Sequence, residues 1–354
     1  MPTQQKNNAT VVSLRNTALP VDGLNRPLRD LRISVMDRCN FRCPYCMPED
    51  KYHPGFRFLK REERLSFDEI VRLARLFVQL GARKLRITGG EPLLRSGVAD
   101  LIAELGQIEQ VEDIAMTTNA ILLGQHAAKL AAAGLSRVTV SLDALDEKTF
   151  SRMTGGRGGV NRALDGIQAA QEAGLSPLKI NAVVEREVNE HAVLDLVEHF
   201  RNSGIIVRFI EYMDVGNINH WKKSDIVPSA ELLRTISARW PLTAVAANYH
   251  GEVASRYRFD DGAGEIGFIS SVTEPFCGAC SRARLSSDGQ VFTCLFASRG
   301  LDLRTPLRDG ASDDELLGMI SRLWQQRTDR YSELRAQVHK AGDPKKVEMY
   351  YIGG

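Results

Sequence analysis

The sequence predicts an α/β protein built on a parallel sheet, with a smaller α+β domain at its C-terminal end. Two observations carry this. Six short Val- and Ile-rich runs alternate with helical segments between residues 30 and about 213, and serial β-α units imply parallel strands covered by helices. After residue 213 the alternation stops, and strand-turn-strand patterns replace it. At this level the sheet is either doubly wound or a partial barrel.

The candidate strands are residues 31–36, 84–88, 112–117, 137–142, 178–184 and 207–213. The first helix is legible at both ends. Ser66 with Glu69 forms a capping-box pattern, Ile70, Val71, Leu73, Ala74, Phe77 and Leu80 make an apolar face, and Gly81 sits where a C-terminal cap belongs. Gly106, Gly134, Gly174 and Gly204 read as similar stops ahead of strands. Residues 225–240 read as loop and helix, 256–272 and 282–296 as strand-turn-strand, and 312–327 as a helix with Ser312 at its N-cap. The expected division is an extended or disordered N-terminal arm (1–29), a β/α domain (30–224) and a C-terminal domain (225–354).

Composition narrows the function classes. The 354 residues are 43% hydrophobic and 25% charged, which is ordinary for a globular chain, and 46 Lys and Arg face 44 Asp and Glu. No global field marks a nucleic-acid or membrane binder, so any anion site must be local. No apolar run reaches the length of a membrane span and no signal-peptide pattern opens the sequence. A cytoplasmic protein with no nucleic-acid or membrane partner is expected.

All six cysteines fall in two triplets, Cys39, Cys43, Cys46 and Cys277, Cys280, Cys294. Cysteines serving as small hydrophobes would scatter, so two metal sites are the better reading. The first triplet follows the first strand directly, at the carboxyl end of a sheet, where α/β enzymes place chemistry. Three thiolates hold three irons of a 4Fe-4S cube and leave the fourth without a protein ligand. That iron can take the amine and carboxylate of a ligand such as the methionine part of S-adenosylmethionine. Structural zinc, the competing reading, wants a fourth ligand. The second triplet is again one ligand short, with no further His or Cys until His339.

Arg282 and Arg284 follow the second triplet and would share one face of a strand. On an arbitrary strand such a pair is usually solvated; beside a metal ligand its two guanidinium forks suit a phosphate. Arg32 and Arg86 lie in the first two strands, where a half-buried arginine needs either an anionic ligand or a structural carboxylate.

These residues carry a family resemblance. Cys39-Asn-Phe-Arg-Cys43-Pro-Tyr-Cys46, together with Gly89-Gly90-Glu91-Pro92 closing the second strand, resembles the radical S-adenosylmethionine superfamily. The segments 30–39, 46–48 and 86–93, the C-terminal triplet with its two arginines, and the ending Ile352-Gly353-Gly354 narrow this to a resemblance to the GTP 3',8-cyclase family over residues 30–354.

The resemblance implies a partial, TIM-like (β/α)6 barrel and two 4Fe-4S clusters, one on Cys39, Cys43 and Cys46 and one on Cys277, Cys280 and Cys294. Tyr45, Gly90, Ser141 and Met213 match positions that contact S-adenosylmethionine. Arg32, Arg86, Thr117, Lys179, Arg282, Ala283 and Arg284 match positions around GTP, with Arg32, Arg282 and Arg284 in catalytic roles. The implied reaction abstracts hydrogen from ribose C3' and joins that carbon to C8 of the base, the first step of molybdopterin biosynthesis. It further implies a reducing electron donor, a homodimer, a downstream cyclic pyranopterin monophosphate synthase, and a supporting role for Gly353 and Gly354 at the site.

Two positions depart from the family pattern: Met36 stands where Thr is usual, and Ala120 where Gly is. Met36 is expected to matter little, and Ala120 is expected to need a negative φ. Two other functions compete with the cyclase reading. One is a peptide-maturing radical enzyme, which typically carries more C-terminal cysteines; the other is a zinc-dependent nucleic-acid-binding module.

Overall fold

In the computed structural model, which describes residues 19–341 and 345–353, twelve strands form one hydrogen-bonded sheet. The six expected strands are β1 (Asp30–Ser34), β2 (Lys84–Thr88), β3 (Asp113–Thr118), β4 (Arg137–Ser141), β5 (Lys179–Val184) and β6 (Ile206–Glu211). The remainder are β7 (Leu242–Val245), β8 (Ser255–Phe259), β9 (Glu265–Ile269), β10 (Arg282–Leu285), β11 (Gln290–Phe292) and β12 (Leu301–Asp302).

The order across the sheet is β12-β11-β10-β1-β2-β3-β4-β5-β6-β9-β8-β7. β10 runs parallel to β1 and β9 parallel to β6, so strands from the C-terminal third extend the parallel sheet at both edges. β7 to β9, and β10 to β12, complete each flank as antiparallel strands. The sheet is not closed by hydrogen bonds: the architecture is a partial, TIM-like barrel.

Eleven α-helices among the described residues accompany the sheet: α1 (Phe67–Gln79), α2 (Val98–Gly106), α3 (Leu123–Ala132), α4 (Glu147–Thr154), α5 (Val160–Glu172), α6 (Val193–Phe200), α7 (Ser229–Ser237), α8 (Arg304–Arg308), α9 (Asp313–Gln325), α10 (Tyr331–Ala341) and α11 (Met349–Ile352). Capping follows the sequence. Ser66 accepts from the Glu69 amide while Glu69 reaches back, and Ser312 and Glu315 repeat the arrangement on α9. Gly81, Gly134, Gly174 and Gly204 have φ of 113°, 93°, 76° and 75°. Gly106 differs: it is the last residue of α2, and the left-handed turn falls at Gln110 (φ 74°).

Alternation sorts the barrel strands. On β5, Ile180, Ala182 and Val184 are fully buried against the helical layer, while Lys179, Asn181 and Val183 line the lumen. β1 stops at Ser34, two residues short of expectation, because Met36 already turns away from the ladder: its carbonyl accepts the Gly90 amide at 2.7 Å.

Ala120 adopts φ 64°, not the negative angle expected. Its amide donates to Thr118 Oγ1 at 3.1 Å, its carbonyl accepts the Leu123 amide, and its methyl is fully buried, so local bonds hold the turn despite the Cβ. Within the segment expected as an arm, Val21 bridges Pro27 and the Asp22 carboxylate accepts the Leu24 and Arg26 amides, closing a tight turn. Residues 1–18 of that arm, and Gly354, lie outside the described residues. No helix among the described residues is long and apolar enough to cross a membrane.

Candidate active site

Both cysteine triplets open onto one cavity of about 340 Å3 inside the barrel. The first occupies the loop after β1, where Cys39 Sγ accepts the Phe41 amide at 3.4 Å. The GGEP turn after β2 packs on that loop. Gly90 and Glu91 donate their amides to the carbonyls of Met36 and Arg38 at 2.7 and 2.8 Å. A Cβ on Gly90 would strike the Arg38 carbonyl, so glycine is what permits the approach. Glu91 is buried and accepts from the amides of Leu93 and Asn119 and from Thr118 Oγ1. Burial lifts its carboxyl to about 7, against the pull of those donors.

Tyr45, Gly90, Ser141 and Met213 all line the cavity onto which the first triplet opens. Tyr45 donates its hydroxyl to Asp143 at 3.0 Å, and Asp143 also accepts the Val183 amide at 2.8 Å. Met213 lies just beyond β6, which ends at Glu211.

Between the triplets stands a cluster of cations. Register places Arg32 of β1 level with Arg284 of β10 on one side and Arg86 of β2 on the other. Lys179, Arg208 and Arg282 line the same lumen. No described carboxylate forms an ion pair with any of these six. Arg86 is held by Thr117 and Thr139 hydroxyls at 3.2 and 3.3 Å. Burial, then the neighbouring Arg284, Arg282 and Arg86, drives the Arg32 pKa well down. Burial lowers Arg86 to about 10 and, with Arg282 beside it, Arg284 to about 10. Burial and Arg208 bring Lys179 to about 8. Gathering like charges in a low-dielectric lumen is unfavourable unless a polyanion enters. A triphosphate is such a group.

The second triplet sits on the loops flanking β10 and β11. Arg282 directs both Nε and Nη2 at Cys280 Sγ, each at 3.3 Å. Burial opposes the thiolate, yet Arg282 and Arg327 pull Cys280 down to about 6. The other shifted thiols run the opposite way: burial raises Cys39 and Cys294 to about 12, and raises Cys43 and Cys46 as well. The cavity wall carries six cysteines and no histidine. Such a donor set, three sulfurs at each end, fits two cubes that each keep one iron free of protein ligands.

Of the six cysteines and the residues matched to S-adenosylmethionine and GTP, all but Ala283 line the cavity; Ala283 faces the apolar core, 1% exposed, beside its register partner Leu31. Gly353 is not part of the lining, and Gly354 lies outside the described residues. Sequence reasoning missed Arg208, Asp143, Asn119, Arg26 and Arg327, which also line the cavity. Alternation along β6 would have found Arg208, since Arg32 and Arg86 occupy the same lumenal face of their strands. Arg26 and Arg327 sit in loops that carry no such signal.

A parallel partial barrel with a cysteine triplet after β1 and a glycine turn after β2 defines a radical S-adenosylmethionine enzyme. The Radical SAM superfamily model matches residues 33–200, and the Molybdenum Cofactor Synthesis C model matches residues 205–333. Among solved structures, the chain is similar to Streptococcus suis SuiB bound to precursor peptide SuiA (TM-score 0.60, 17% identity, 91% of this chain and 75% of that one). At that identity the likeness speaks to the fold alone.

Sequence relatives go further: the chain belongs to the GTP 3',8-cyclase family. It is 54% identical to the GTP 3',8-cyclase of Xanthomonas axonopodis pv. citri over 96% of this chain and 100% of the relative. It is 50% identical to that of Acidothermus cellulolyticus over 94% and 98%, and 44% identical to that of Staphylococcus epidermidis over 94% and 98%.

Proposed function

We propose that this chain converts GTP to (8S)-3',8-cyclo-7,8-dihydroguanosine 5'-triphosphate, the first step of molybdopterin biosynthesis. The observation that carries the reading is the cation cluster, without a carboxylate partner among the described residues, lying between two cysteine triplets in one lumen. Cys39, Cys43 and Cys46 would hold the reducing cluster, and Cys277, Cys280 and Cys294 the second. When bound, the first would supply the electron for reductive cleavage of S-adenosylmethionine, and the second would supply Lewis-acid chemistry toward the substrate.

The chain's own side chains then orient and exclude. Tyr45, Gly90, Ser141 and Met213 would hold S-adenosylmethionine over the first triplet. Arg32, Arg86, Thr117, Lys179, Arg282 and Arg284 would fix the triphosphate, so that ribose C3' faces the adenosyl C5'. Placement of this kind supplies most of what a radical transfer needs from a protein. Ala283 would contribute only backbone, because its methyl faces the core.

The supporting parts of the reading are an electron donor, a homodimer, a cytoplasmic setting and a downstream cyclic pyranopterin monophosphate synthase that takes the product. The division into a barrel (30–224) and a C-terminal cluster domain (225–354) belongs with them.

One experiment separates this from the competitors: anaerobic purification with metal analysis, then incubation with dithionite, S-adenosylmethionine and GTP. About eight irons per chain and GTP-dependent 5'-deoxyadenosine are expected. Iron without GTP dependence favours a peptide-maturing enzyme. Two zincs in place of iron end the proposal.

A further inference from the structure

Two stretches far apart in sequence meet behind the second cysteine triplet. Asp22 and Arg26 come from the N-terminal turn, and Arg327 and Asp329 from the loop after α9. Arg26 Nε pairs with Asp22 at 2.5 Å, both side chains being at most 2% exposed. Arg327, 1% exposed, lies 3.5 Å from the same carboxylate and 3.1 Å from Asp329. Two guanidinium groups and two carboxylates thus form a charge-balanced knot, buried except at Asp329, whose side chain is 27% exposed.

Buried ion pairs contribute little net stability, since desolvation offsets most of the attraction. What distinguishes this knot is where its remaining donors and acceptors go. Arg26 Nη1 donates to the Cys277 carbonyl at 2.8 Å, and Arg327 Nη1 to the Cys280 carbonyl at 2.6 Å. Asp329 accepts from Thr293, the neighbour of Cys294, at 2.7 Å. All three ligand-bearing segments are therefore tied to one network, and Arg26, Arg327 and Asp329 themselves reach the cavity wall. The knot is anchored in turn: Trp324 donates its indole N–H to the Arg26 carbonyl at 3.1 Å, and the Gly23 amide donates to the Arg327 carbonyl at 3.0 Å.

We infer that Asp22, Arg26, Arg327 and Asp329 are positioning residues for the second cluster, setting the separation of its three cysteines, with the Arg327 charge raising its reduction potential. Ligand orientation from outside the ligand set is a general feature of metal sites, and cluster potentials follow nearby charge and hydrogen bonds. The N-terminal turn is thereby part of the auxiliary site. The inference rests on the functional reading above only for the identity of the group held.

The test uses anaerobically reconstituted full-length protein carrying Arg26→Gln, Arg327→Gln or Arg327→Lys. Iron per chain, the EPR signal of each cluster, and the second cluster's midpoint potential are measured. For Arg26→Gln, iron is expected to fall from about eight to about four per chain, with the second cluster's signal lost and the first still responding to S-adenosylmethionine. Arg327→Gln is expected to lose the second cluster or to keep it at a lower potential, and Arg327→Lys, which returns the charge, to restore it. Wild-type iron and potentials in both Gln variants overturn the inference. So does equal loss of both clusters, because the claimed effect is local. A wild-type protein without two iron clusters sinks the functional reading first, which keeps the two failures apart.

Discussion

Arg284 donates a hydrogen bond to the backbone carbonyl of Gly353, 69 positions further along the chain. Through it the C-terminal segment reaches the layer of the lumen in which Arg32 and Arg86 stand. Gly353 has φ 70°, and a Cβ there would run into the Thr88 side chain. Gly353→Ala is therefore expected to pull the carbonyl away from Arg284. A hydrogen bond to a charged donor contributes about 1.5–3 kcal/mol, so a fall in turnover of roughly ten- to a hundredfold should follow. Unchanged formation of the cyclised nucleotide would show that the contact is dispensable.

The Tyr45–Asp143 pair makes a pH prediction. Burial lifts the Asp143 carboxyl to about 6, while the Val183 amide and Tyr45 hydroxyl pull against it. Its ordinary value is 3.8, so between those values the folded chain binds more protons than the unfolded one. Stability contributed by this group consequently falls as pH rises through that window, by on the order of 3 kcal/mol. Urea denaturation of cluster-free protein at pH 4 and pH 7 should show a smaller pH effect in Asp143→Asn than in the parent. Equal slopes would dismiss the assignment.

Lys179 makes the opposite kind of statement, about binding. Burial and the guanidinium of Arg208 hold its ammonium at about 8, so the empty lumen loses this cation between pH 7 and 9. If only the protonated form engages the triphosphate, apparent GTP affinity drops about tenfold over that range. Lys179→Arg should flatten the profile, as read by equilibrium binding. A parent profile that is already flat counts against any contact between Lys179 and the nucleotide.

Ala120 offers a balance of magnitudes. A non-glycine residue at positive φ costs roughly 1–2 kcal/mol. Replacing it by glycine removes a fully buried methyl, about 0.8 kcal/mol, and adds unfolded-chain entropy of about 0.5–1 kcal/mol. The terms cancel, so Ala120→Gly should shift unfolding free energy by less than about 1 kcal/mol. Ala120→Val keeps the strain and adds a branched carbon, and should be clearly destabilising in the same chemical denaturation.

What the sequence conveyed and what it withheld divide along physical lines. Strand and helix positions were legible because burial imposes period two on β5 and an apolar face on α1. The Ser66 and Ser312 caps are local chemistry. The cysteines and the arginines of β1, β2 and β10 stood out because their spacing or their apolar surroundings made them conspicuous. By contrast, β7 has an exposed middle and no alternation, so nothing local marks it. The partnership of Asp22, Arg26, Arg327 and Asp329 depends on contacts spanning some three hundred positions, which no window along the chain registers. Nor does composition reveal that β9 and β10 would seat themselves at opposite edges of the barrel.

That arrangement has a consequence for how the chain is made. Asp30 and Ser281 bond across 251 positions, so the β1 edge must wait for its neighbour while most of the polypeptide leaves the ribosome. At ordinary elongation rates the delay is roughly 10 to 50 seconds. A naked strand edge invites wrong pairing during such an interval, and inward-facing charges are one of the devices that discourage it. Asp30 and Arg32 occupy that edge. The arginine proposed to meet the nucleotide would, in the nascent chain, keep the unfinished barrel from joining another.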